Sequence, residues 1–150
     1  MSRLPPAVRI LPMSRKLADF AAWDAHAVQD EFFLRRLPDG GGQFMYSAAG
    51  LQAEPGTILL FQYTGVIVAS AELVELVRFA KPRLAHGTAF RGAYQLDPLS
   101  IRTFTPVDAA HLKMFWPKLP GLGQAKHNLA PAAYARFVKS LRDVRKPMST

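Results

Sequence analysis

The chain contains no cysteine. That absence excludes disulfides, thiolate zinc centres and cysteine nucleophiles together, and it suits a reducing compartment. No stretch reads as a membrane span. The most apolar one, residues 57–76, is interrupted by Gln62, Tyr63, Glu72 and Glu75, whereas a span needs roughly 20 mostly apolar residues. The opening residues, MSRLPPAVRILPMSRK, carry basic groups but neither a long apolar run nor a small-residue cleavage site, so they do not read as a secretory signal. The cytoplasm is therefore the expected compartment, with no membrane partner.

Catalytic signatures are scarce as well. The glycines Gly40, Gly41 and Gly42 sit in a polar turn, without the strand-to-helix context of a phosphate-binding loop or a dinucleotide fingerprint. His26, His86, His111 and His127 never stand four residues apart, so no helical metal site is encoded. Ser47, Ser70 and Ser100 lack the flanking glycines of a nucleophile elbow. Asp97 precedes Pro98, where turn formation accounts for it. No catalytic residue, metal or cofactor is expected from these patterns.

Acidic residues are rare in one half. Residues 1–75 hold six Lys and Arg against eight acids, whereas residues 76–139 hold ten against two, Asp97 and Asp108. The formal net charge is +8, so the positive field belongs to the second half. A phosphate backbone is the commonest partner for such a surface, because neutralising phosphates releases counterions. Solubility or an anionic protein partner is the alternative.

What is present suffices for one domain. The chain has 150 residues, 49% of them hydrophobic, which builds a core without disulfide or metal staples. Residues 8–144 are expected to form that domain, with loose termini over 1–7 and 145–150.

Val8–Met13 reads as a short strand, followed by Ser14 as a helix N-cap and one helix, whole or broken in two, that ends before Pro38. Gln43–Ser47 reads as a strand. The clearest signal is Thr57–Tyr63 and Val66–Val77, two β-rich runs joined by Thr64 and Gly65, a hairpin whose continuous apolar character implies burial on both faces. A loop opens at Lys81 and Pro82. Further strands are expected over Ala93–Leu96 and Ser100–Val107, then a short helix capped by Asp108 and a final helix over Asn128–Val144. Strands in the middle with helices at the ends argue for an α+β fold.

Aromatic residues are spread throughout, and most must be core. Tyr46, Tyr63 and Trp116 fall at predicted element ends, where a ring can project and stack on an unpaired base, worth about 1–3 kcal/mol per base. The segment Gly121–Asn128 gathers donors and positive charge on a glycine loop: Lys126 suits a phosphate, and Gln124, His127 or Asn128 suits a base edge. An ordinary capped loop explains the same residues.

The hairpin PGTILLFQYTGVIVASAEL, residues 55–73, resembles the central hairpin of the PUA-like superfamily, which includes EVE, YTH, ASCH and SRA domains. The shared pattern is a glycine before a strand ending in an aromatic, a tight turn, and a strand closing on a small residue and an acid, here Gly56, Phe61, Tyr63, Gly65, Ala69, Ala71 and Glu72. The upstream order, a strand, then Ser14, then a helix, is similar to EVE and YTH domains, and EVE domains are the nearest in outline. The Lys-Ser/Thr-Glu-Pro signature of EVE domains is replaced by Met13, Ser14 and Arg15.

The resemblance implies a curved, mixed β-barrel flanked by helices, with a cleft that holds nucleic acid, often a single modified or flipped base. In that arrangement Ser14, Tyr46, Ser47 and Tyr63 line the pocket, Lys126 and His127 close it, and Arg78, Lys81, Arg83 and Arg91 hold the backbone of DNA or RNA. The cationic half is thus expected to surround one ring-floored hollow. Two alternatives remain: a non-catalytic module that docks an effector protein such as a nuclease, or a small ASCH-type hydrolase, for which Lys126 with Asp97 is the pair to find together.

Overall fold

The hairpin that the sequence marks most clearly organises the molecule. In the computed structural model, which describes residues 4–13, 23–47, 52–85, 87–123 and 125–147, strand β3 (Ile58–Tyr63) turns into β4 (Val66–Ala85) through Thr64 and Gly65. Both turn residues have positive φ, 49° and 83°. That combination matches the right-handed twist of paired strands and favours glycine, which has no Cβ to clash.

Strand β1 (Val8–Pro12) lies parallel to β3, with Val8 opposite Ile58, and β7 (Asn128–Leu129) pairs with the other edge of β1. On the far side β4 pairs with β5 (Thr88–Leu96), and β5 with β2 (Gln43–Tyr46). The order is β2-β5-β4-β3-β1-β7, with β6 (Arg102–Val107) also paired to β4. Among the described residues no ladder joins β2 to β7, so the sheet is open where a barrel was expected.

The double burial expected of the hairpin is present. Along β3, Leu59, Phe61 and Tyr63 enter one apolar cluster with Phe33, Phe44 and Tyr94, while Leu60 enters another with Ile10, Phe104, Trp116 and Phe137. Alternate residues of a strand point to opposite faces, so one strand feeds both cores. The first core is covered by a continuous helical run: α1 (Ala25–Ala27), a π-wound stretch over Val28–Arg36, and α2 (Leu37–Asp39). Asp24 caps it, its carboxylate accepting from the Ala27 amide at 2.8 Å. The second core is covered by α3 (Ala109–Lys113), capped by Asp108 as expected, and α4 (Tyr134–Ser140). No described helix is long and apolar enough to cross a membrane.

Three expectations are corrected. The helix does not stop before Pro38 but continues to Asp39, so the proline sits in its last turn. Strand β4 does not end at Val77. It runs through Pro82, which a strand tolerates where the ladder is interrupted, and here the register jumps from Arg78 opposite Gly92 to Arg83 opposite Phe90. The final helix does not begin at Asn128, which pairs with Arg9 in β7; it starts only after Pro131.

One buried polar side chain ties these layers together. Gln29 is 2% exposed. Its amide donates to the Val68 carbonyl of β4 at 2.9 Å and to the Phe104 carbonyl of β6 at 2.6 Å. The β4–β6 ladder shifts register between Ile67 and Ala69. Gln29 therefore supplies donors where the strands are out of step.

Candidate nucleic-acid interface

Beyond Arg78 and Gly92, the described parts of β4 and β5 pair only with each other. They form a two-stranded arm that leaves the body of the sheet. Arg78, Ala80, Lys81, Pro82, Arg83, Leu84, Gly87, Ala89 and Arg91 are exposed. The consecutive exposed residues 80–84 leave both faces of β4 open to solvent there, whereas on β5 Phe90 is buried. Every charged residue between Leu76 and Leu96 is positive: Arg78, Lys81, Arg83 and Arg91. The Arg83 guanidinium lies over the Phe79 ring, 3.8 Å from its centroid, a cation–π contact along β4.

Tyr46 and Ser47 stand at the foot of this arm. Tyr46 is opposite Gly92, which in turn is opposite Arg78, so all three occupy one row across the sheet. The Tyr46 ring packs beside Tyr94 with centroids 5.1 Å apart. A Cβ at Gly92 would collide with the Tyr46 hydroxyl and the Val77 carbonyl. Glycine is required there because the phenol crosses the strand at van der Waals range. Tyr46 is half-buried and Ser47 exposed.

The remaining predicted residues lie elsewhere. Tyr63 is 0% exposed, and its hydroxyl donates to the Trp23 carbonyl at 2.6 Å. Trp116 is 6% exposed, with its indole N–H donating to the Ala130 carbonyl at 2.9 Å. Neither ring offers a free face for a base, contrary to expectation: each strand-end or loop aromatic found a carbonyl for its polar atom and could be buried whole. Ser14 and Gln124 lie outside the described residues.

Lys126, His127 and Asn128 sit at the β7 edge, fixed from below. Arg9 donates to the Lys126 carbonyl at 3.0 Å and to the His127 carbonyl at 3.3 Å, and Gln62 donates to the Gly123 carbonyl at 2.9 Å. Sequence reading missed Arg9 and Gln62 as loop anchors, since their partners are 117 and 61 residues away. Beside this loop a hollow of about 530 Å³ opens between the 115–120 turn and the start of α4. Its walls are largely apolar, Trp116, Leu119 and Leu129 among them, and its charged lining residues are Lys118 and Arg136.

The arm cations lie on β4 and β5, whereas Lys126 lies beside β7 at the far end of the strand order, so the predicted cations do not ring a single hollow. The Lys126–Asp97 pair is not assembled either. Asp97 caps a 3₁₀ turn after β5, with β4, β3 and β1 lying between β5 and β7. His111 and Ser140 do meet, at 2.8 Å. The Ser140 hydroxyl donates to the Phe137 carbonyl at 2.6 Å, so its proton is directed to the backbone and the histidine serves as donor. Among the described residues no His, Asp and Glu cluster could hold a metal. Burial raises the Tyr134 phenol above its usual pKa, against lowering by the Ser70 hydrogen bond and by Arg102.

The fold has solved relatives. An ASCH protein from Zymomonas mobilis superposes over 94% of this chain and 98% of its own, with TM-score 0.55 and 12% identity. The chain has a PUA-like fold. A variant of the same Zymomonas protein matches over 89% of this chain and 98% of its own, with TM-score 0.54 and 12% identity. The YTH domain of a Zygosaccharomyces rouxii protein, solved with N6-methyladenosine RNA, covers 97% of this chain and 94% of its own, at 13% identity and TM-score 0.43. No family model and no curated protein matches the sequence. At such identities the PUA-like likeness establishes architecture alone, and function must come from this chain's own surface.

Proposed function

We propose that the protein is a nucleic-acid-binding module, with the β4–β5 arm as the surface that holds the phosphate backbone. The observation that carries this reading is the arm itself: four exposed cations and no acid. Tyr46 and Ser47 at its foot are the groups placed to meet a single base, modified or plain, turned out of its stack. Tyr63 and Trp116 take no part.

Fluorescence anisotropy with a labelled oligonucleotide across a salt series tests the proposal. Four phosphate contacts predict a slope of log K against log salt of roughly −3 to −4, a loss on the order of 10² in affinity between about 50 and 200 mM salt. Binding that ignores salt, or no binding, counts against the proposal.

A second reading, a module that docks an effector protein, is favoured by the hollow beside Trp116. Its apolar walls and its two cations, Lys118 and Arg136, suit an acidic segment with an apolar anchor. Co-purification of a protein partner, together with failure to bind oligonucleotides, would favour it over the first.

A further inference from the structure

We infer that the β4–β5 arm enters the major groove of double-stranded DNA, an inference that rests on the nucleic-acid reading above and narrows its ligand. The first reason is shape. Two paired strands lie about 4.8 Å apart, and the B-DNA major groove, about 12 Å wide and 8.5 Å deep, admits such a ribbon with its side chains. The narrow, deep major groove of duplex RNA does not admit it.

The second reason is the distribution of rings. Non-specific single-strand binders present aromatic faces on which successive bases stack. The arm presents none: Phe90 is 5% exposed, and half-buried Phe79 lies under the Arg83 guanidinium. What the arm does present is guanidinium and ammonium groups. Arginine in a major groove pairs with the O6 and N7 of guanine or with flanking phosphates.

The third reason is local twist. Phe79 to Pro82 lie between the paired residues Arg78 and Arg83, opposite Arg91 alone. Extra residues on one strand increase the right-handed twist of a ribbon, the same hand as the B-DNA helix.

The test compares four probes with the full chain: a duplex DNA of about 16 base pairs, roughly one and a half turns, the RNA duplex of the same sequence, and each matching single strand. The duplex DNA is expected to bind at least about tenfold more tightly than any of the others. The Lys81→Glu/Arg83→Glu protein, altered only at exposed positions, should lose that preference while keeping its circular dichroism spectrum. Equal binding of all four probes, lost in the double variant, overturns the groove inference and leaves the nucleic-acid reading standing. Preference for single strands or RNA overturns it likewise. Failure to bind any probe overturns both.

Discussion

Replacing Gln29 by leucine is expected to cost about 2–4 kcal/mol of stability, more than any surface substitution in this chain. Leucine fills nearly the same volume, so the loss is not a cavity. The cause is polar. The Val68 and Phe104 carbonyls each lose their Gln29 donor, in a place too deep for water to replace it. A buried acceptor left without a donor costs about 1–3 kcal/mol, and added apolar area returns only part of that. In a domain of this size the midpoint of thermal unfolding should fall by roughly 5–15 °C. Arg35→Ala is the contrast. It deletes an ion pair to Glu31 of similar geometry, 2.9 Å long, but with side chains 68% and 44% exposed. Such a pair contributes about 0.3–0.5 kcal/mol. Burial, rather than bond length, decides which polar contact matters. If chemical denaturation gave the two variants equal midpoints, the bridging role of Gln29 would be refuted.

Neutralising the arm should have the opposite profile, with large loss of binding and no loss of fold. Arg78, Lys81, Arg83 and Arg91 are exposed; substitutions at such positions usually change stability by less than about 0.5 kcal/mol. Changing all four to alanine should nevertheless reduce affinity for duplex DNA on the order of 10²-fold at low salt and flatten the salt dependence by about 0.9 per contact removed. A matched pair of changes in the other cationic group, Lys118→Ala and Arg136→Ala, removes charge of the same sign from the hollow beside Trp116. It should leave DNA affinity within about threefold, since only long-range attraction is lost and that is screened within about 10 Å at 0.1 M salt. Unaltered affinity in the four-residue variant would remove the arm from the interface.

How much of this was legible in the sequence varied with the range of the interaction involved. Local chemistry read well. Thr64 and Gly65 between two β-rich runs announced the hairpin, Asp108 the start of α3, and Asp97 with Pro98 the turn after β5. Features set by distant partners did not. Leu129, Ala133, Phe137 and Leu141 keep helical spacing, but the open edge of β1 recruits Asn128 and Leu129 as a strand first. Pro82 looked like a break, yet the ladder skips there and β4 continues, which is what creates the arm.

The site divided along the same line. The four arm cations were readable from charge alone, although not the ribbon that displays them. Tyr63 was misjudged because a ring at a strand end suits a cleft and a core equally well. Its fate was settled by a carbonyl at Trp23, 40 residues upstream. Arg9 and Gln29 gave no signal, since each acts through backbone groups far off in sequence.

The most direct test is a ¹H–¹⁵N NMR titration of the labelled protein with unlabelled duplex DNA, on a chain of 16.6 kDa. Amide shifts should concentrate on Arg78–Ala85 and Thr88–Gly92, with smaller changes at Tyr46 and Ser47. Shifts confined to Trp116–Arg136, with the arm unmoved, would contradict the account.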